Sequence, residues 1–265
     1  MKFAKKMVCV ALILAAVAGT VFAGGKQESG GSGDVDKIKG HGVLRVGVKS
    51  DVPGFGLQNP ATGLYEGLEI ELSKLIAQEI FGDSSKVAFT PVTAKTRGPL
   101  LDNGDIDLVI ATFTVTEERK LTYNFSTTYY TDAVGMLVKK AAGISGLKDL
   151  GGKTIGVAQS ATSRVAIKEA GDKIGVSFGF SEFATYPEIK AALDSGRVDV
   201  FSVDKSILAG YLDNETVILP EAFSPQEYGI ASKKSNTELA SYIDGLISKW
   251  LSDGTIAGLV SQFNL

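Results

Sequence analysis

The sequence predicts an α/β protein of two lobes, each a doubly wound and mostly parallel sheet. Three observations carry that expectation. Short apolar β-type runs alternate with helical patterns, as in strand–helix units. Two motifs recur in the same order in both halves of the chain. Past an N-terminal leader, 242 residues remain, enough for one large domain or two of ordinary size.

The repeat is the sharpest of the three. Residues 38–48 read IKGHGVLRVGV and residues 147–157 read LKDLGGKTIGV; residues 101–109 read LDNGDIDLV and residues 193–201 read LDSGRVDVF. In each half the first motif leads into a strand, and the second ends a helix at a glycine and opens another strand. Two copies in the same order predict two lobes built alike.

The elements follow from periodicity. Strands are expected at 43–49, 86–92, 106–112, 133–139, 154–159, 176–183 and 198–203, and helices at 68–80, 163–174, 187–194 and 205–212. Residues 238–251 place Leu239, Tyr242, Ile243, Leu246 and Trp250 at helical spacing, a closing amphipathic helix.

The N-terminus reads as an export signal. Lys2, Lys5 and Lys6 precede an apolar run, and Val21-Phe22-Ala23 offers a cleavage site, giving a signal peptide at 1–23. The stretch from Met7 to Ala23, 17 residues with a Gly and a Thr near its end, falls short of the roughly 20 that a membrane helix needs. The single cysteine, Cys9, lies inside this run, too early for a lipid anchor, so no disulfide is expected in the mature chain. Residues 24–35, GGKQESGGSGDV, read as a flexible tether, with structure beginning near Asp36. These features predict a periplasmic or secreted protein.

Charge and composition exclude several classes. Removing the three leader lysines leaves 24 basic against 30 acidic residues, a net of −6, unlike a nucleic-acid binder. One histidine (His41, in a turn before the first strand) and no mature cysteine leave no material for a cysteine or histidine triad or a His-rich metal site. LGGKT at 150–154 lacks the first phosphate-loop glycine, since Leu147 stands there, and it opens a strand rather than a helix. No carboxylate pair marks an acid/base couple. The reading is a binder without cofactor or metal, and not an enzyme.

In open α/β sheets ligands sit beyond the carboxyl ends of strands. The loops there hold Lys49, Arg97, residues 112–119, residues 160–163 and Asp204. A free amino acid needs a guanidinium and N–H groups for its carboxylate, and a carboxylate with hydroxyl or carbonyl acceptors for its ammonium. ATFTVTEERK, at 111–120, supplies Thr112, Thr114, Thr116 and Arg119. QSATS, at 159–163, joins a strand to a helix whose first N–H groups make an anion site. By composition alone Arg119 also fits an exposed charge run. Thr162, Ser163 and Asp204 also fit ordinary helix capping.

GLEIELSKLIA, at 67–77, and the pattern of Thr114, Thr116, Glu118, Arg119, Phe125-Ser126 and Tyr129-Tyr130 resemble the periplasmic solute-binding proteins of polar amino-acid ABC transporters, the extracellular solute-binding family 3. The resemblance covers the chain from about Asp36. It implies the two-lobed periplasmic-binding-protein fold joined by a two-strand hinge, with lobe 1 at 36–135 plus 229–265 and lobe 2 inserted at 136–228. It implies that Arg119, Thr114 and the loop of Ser160 and Thr162 bind the ligand carboxylate. Asp204 then holds the ammonium, with acceptors at Thr114 and Thr112.

GVKSDVPGFG (47–56), AKTRGPLLDNG (94–104) and FSVDKSIL (201–208) look like the aspartate/glutamate-binding branch. No aromatic stands near Ala94; Lys49 and Arg97 are instead the cations expected to meet an acidic side chain. Tyr186 resembles a further cleft residue of that branch, with a core or rim position as its alternative. The implied partners are aspartate or glutamate and a membrane permease, with the protein itself a monomer. Rival readings are a binder of another polar amino acid such as glutamine, a cell-surface adhesin, and a dehydratase on the same fold.

Overall fold

The computed structural model describes residues 33–265. The expected signal, 1–23, and most of the expected tether lie outside the described residues. The first helix, Asp34–His41, begins two residues before the expected start and buries Val35 and Ile38.

Two sheets dominate. The first contains Leu44–Val48 flanked in parallel by Val87–Pro91 and Leu108–Ile110, then Ala231–Lys233 and Tyr123–Phe125 in antiparallel register. The second contains Thr154–Ala158 flanked in parallel by Gly179–Phe183 and Val200–Asp204, then Tyr130–Lys139 and Thr216–Ile218 antiparallel, with Phe223–Tyr228 also on Tyr130–Lys139. Both sheets therefore mix parallel and antiparallel strands in the same spatial order. In each, one antiparallel strand arrives along the crossing from the other lobe.

The repeated motifs occupy equivalent places. The Asp107 carboxylate accepts from the backbone N–H of Arg45 at 2.9 Å, and the Asp199 carboxylate accepts from that of Thr154 at 2.8 Å. The repeated glycine in the first strand of each lobe has the same cause. A Cβ on Gly47 would lie 2.6 Å from Ile106, and one on Gly156 would lie 2.7 Å from Ile189, so the helix and loop packed on the sheet leave room only for hydrogen.

The helices bury one stripe each, which is what holds them to the sheets. Leu68–Phe81 buries Leu68, Leu72, Ile76 and Ile80, and Thr237–Ser252 buries Leu239, Ile243, Leu246 and Trp250. Several expected elements come out shorter. The strand expected at 176–183 starts at Gly179, because Gly175, at φ 73°, ends the helix and Val176 donates back to Gly171. The strand expected at 106–112 is Leu108–Ile110, since Thr112 sits at φ 43°. The helix expected at 205–212 is Lys205–Ala209.

The chain crosses between lobes side by side, where Tyr130 pairs with Tyr228. The rings of these two tyrosines stack at 5.9 Å, with Phe55 edge-on to both. The strand Tyr130–Lys139 lies whole in the second sheet, so the expected boundary at 135/136 cuts through it and the first crossing sits nearer Tyr130.

Candidate functional site

The strand ends of both lobes face one another across a cleft. Lys49, Arg97, Thr112, Thr114, Tyr186 and Asp204 are each no more than 5% exposed there. A cavity of about 680 Å3 is lined by Thr114, Arg119, Ser160 and Thr162, and the other five expected residues do not line it.

Arg97 opens the helix Arg97–Asn103. Its Nη1 donates to the carbonyls of Ala111 at 2.6 Å and Thr112 at 3.1 Å, and its guanidinium carbon lies 4.0 Å from the centre of the Phe113 ring. Its Nε is buried without a partner among the described residues. Arg119 lies 4.7 Å from the same ring and donates to the Thr114 carbonyl at 2.7 Å. Its other terminal nitrogen crosses the cleft to the Ser160 carbonyl at 3.2 Å. Burial, and then the neighbouring charge of Arg97, lower Arg119 to about 9, which leaves it protonated at neutral pH. Among the described residues neither guanidinium forms an ion pair.

Asp204 ends the strand Val200–Asp204 at the position of a helix cap, yet its side chain makes no capping bond. It accepts instead from the Tyr228 hydroxyl. Burial raises this carboxyl to about 7, against the opposite pull of that hydrogen bond. Thr162 behaves alike. It precedes the helix Ser163–Ile174 without capping it, and its hydroxyl donates to Gln226 Oε1 at 2.6 Å. The Thr114 hydroxyl donates to the same oxygen at 2.8 Å. The capping alternatives for Thr162 and Asp204 are thus not what their side chains do.

Lys49 departs from expectation. It is a cleft cation, but its ammonium already has a partner, Asp51, at 3.0 Å, and it lies 4.5 Å from the centre of the Tyr186 ring. Burial lowers its pKa while Asp51 opposes that. Tyr186 begins the helix Tyr186–Asp194 and also packs on Phe201 and Tyr211, so it serves cleft wall and core together. Its backbone N–H reaches Asp51 Oδ2 at 3.4 Å, and the Tyr211 hydroxyl donates to the Asp51 carbonyl. Thr112 and Ser160 take left-handed backbone, φ 43° and 61°, which costs a residue with a Cβ about 1–2 kcal/mol.

Sequence reasoning missed Glu69, Asp51, Gln226 and Tyr228. Glu69 carries a readable signal: it lies on the buried stripe of its helix with Leu72, Ser73 and Ile76, where a carboxylate needs partners. Gln226 and Tyr228 belong to the return crossing, on the strand Phe223–Tyr228.

ABC transporter glutamine-binding protein GlnH of Bacillus subtilis (strain 168) is 38% identical over 92% of this chain and 89% of its own length. A glutamine-binding protein of Geobacillus stearothermophilus is 41% identical over 78% of this chain and 79% of its own. Among solved structures, a cysteine-binding protein from Campylobacter jejuni superposes with a TM-score of 0.79 at 29% identity, covering 87% of this chain and 92% of that one. These relatives are named as binding proteins rather than enzymes, and the family description places its members outside the cytoplasm. Residues 44–265 match the family model described as bacterial extracellular solute-binding proteins, family 3, and the chain belongs to that family.

Proposed function

We propose that this protein binds an acidic amino acid, aspartate or glutamate, and presents it to an ABC transporter permease. The observation that carries the reading is a pair of guanidiniums, Arg97 fully buried and Arg119 partly so, neither of which has an ion-pair partner among the described residues. A buried cation without a carboxylate is costly. An acidic amino acid brings two carboxylates, whereas an amide brings one. Arg119 takes the α-carboxylate with Thr114 and the loop of Ser160 and Thr162, and Asp204 takes the ammonium. Arg97 takes the side-chain carboxylate. Lys49, paired with Asp51, adds positive potential rather than a free donor.

Arg119, Asp51 and Tyr211 already make contacts between lobes, so a ligand touching both lobes favours their apposition, and closure about the two crossings follows. The closed monomer is then the species that the permease meets. A second reading, glutamine, draws support from the names of the two relatives above. Calorimetry of the mature protein with Asp, Glu, Asn, Gln, His and Arg decides. Tighter binding of either acid than of its amide supports the proposal, and preference for Gln or Arg over both acids overturns it.

A further inference from the structure

Glu69 lies outside the ligand set just proposed, yet it is fully buried beside it. It sits in the first turn of Leu68–Phe81, and one carboxyl oxygen does double duty. That oxygen, Oε1, accepts from the Thr112 backbone N–H at 2.6 Å and from the Tyr129 hydroxyl at 2.6 Å. The other oxygen, Oε2, is buried with no partner among the described residues. The N–H that Glu69 fixes belongs to the left-handed residue of the turn, φ 43°. The carbonyls of that same turn, Ala111 and Thr112, are the ones that hold Arg97. A continuous chain of hydrogen bonds therefore runs from Glu69 through Thr112 to the guanidinium.

We propose that Glu69 is the positioning residue that sets the preference for an acidic over an amide side chain, by aiming Arg97 through the Thr112 turn and by the charge it holds beside Arg97 and Lys49. This rests on the reading that Arg97 meets the ligand side chain. The groups facing Glu69 are the Tyr129 hydroxyl, the Thr112 N–H, Arg97 and Lys49. With Glu69 ionised, it shares the positive potential that a ligand carboxylate would otherwise have to itself. With Glu69 neutral, that potential belongs to the ligand, and the acid gains over the amide. Burial places this change near neutral pH, raising the carboxyl to about 7 against the pull of its two donors and the two cations.

The test is the ratio of the Asn to the Asp dissociation constant, measured by calorimetry from pH 6 to 8 for the full protein and for Glu69→Gln. Asp204, also raised to about 7, enters both constants through the shared ammonium, and the difference between the parent and Glu69→Gln isolates what Glu69 adds. The glutamine amide oxygen keeps both acceptor bonds and removes the charge. In the unaltered protein the ratio should rise about 3- to 10-fold from pH 8 to 6, the size of a partial charge interaction at protein-like dielectric. In Glu69→Gln it should stay flat at the high value. Glu69→Leu, which removes the charge and both acceptor bonds, should hold the ratio below that of Glu69→Gln at every pH; if it fails to fold, Glu69→Gln still decides.

A Glu69→Gln ratio that titrates like the parent's, or a parent ratio that does not change with pH, overturns the inference. Tighter amide than acid binding at every pH sinks the acidic-ligand reading, while the change of the ratio with pH still judges Glu69.

Discussion

The two lobes share a strand order, a carboxylate that ties its strand, and a glycine under a packed side chain, yet they bring opposite chemistry to the cleft. Among the described residues, the first lobe supplies the cations there, Lys49, Arg97 and Arg119. The second supplies Asp204, the Ser160 carbonyl and the Thr162 hydroxyl. The shared features lie where the sheet needs them, at Asp107 and Asp199, at Gly47 and Gly156. The differences lie in the loops beyond the strands. A duplicated scaffold with divergent strand-end loops gives a polarised cleft, and an amino acid, with a carboxylate and an ammonium, is polarised in the matching sense.

The largest effect should come from removing that polarity. Arg119→Ala should weaken every amino-acid ligand by about 100-fold or more, since a charge-assisted contact at a desolvated site is lost. Asp204→Asn should do the same from the other lobe while leaving the fold intact, because its amide still meets the Tyr228 hydroxyl. Calorimetry of both variants checks this, and a loss confined to one ligand would show that the residue reads the side chain instead.

Next in size is Arg97→Ala, which acts within one lobe. It should weaken Asp and Glu by about 10- to 100-fold and their amides by much less. Equal losses for acid and amide would make Arg97 a structural support of the 111–112 turn only.

Much of this was legible in the sequence, and the reasons differ by region. The lobes could be read because the repeat recurs as letters: Asp107 and Asp199 stand at the same place in LDNGDIDLV and LDSGRVDVF. The long helices could be read because one face of each is buried, so periodicity reports them. The short antiparallel strands Tyr123–Phe125, Thr216–Ile218 and Ala231–Lys233 could not, because three residues carry no period. Of the nine expected site residues, Thr114, Arg119, Ser160 and Thr162 line the cavity, while Lys49, Arg97, Thr112, Tyr186 and Asp204 are buried. Their partners were hidden, since Asp51 on Lys49 and Tyr228 on Asp204 are contacts that only folding creates.

Smaller still is an effect of pH on the ligand-free protein. Asp204 and Glu69 are both raised to about 7 by burial, one in each lobe. A carboxyl raised on folding keeps its proton in the folded state at a pH where the unfolded chain has lost it. Stability therefore rises as pH falls through about 7 and levels off near the unfolded value of roughly 4, by about 1 kcal/mol per group between pH 8 and 6. Urea unfolding at the two pH values should show this, with half of the gain lost in Asp204→Asn and the other half in Glu69→Gln.

The smallest contrast tests how the lobes hold each other. The Tyr211 hydroxyl in the second lobe donates to the backbone carbonyl of Asp51 in the first. Tyr211→Phe removes that bond while keeping the ring against Phe201 and Tyr186. One neutral hydrogen bond is worth about 0.5–1.5 kcal/mol, so affinity should fall about 3- to 10-fold. Because the bond holds lobe to lobe and not protein to ligand, aspartate and asparagine should lose equally. A loss selective for one would mean that Tyr211 shapes the position of Lys49 and Asp51 rather than the apposition of the lobes.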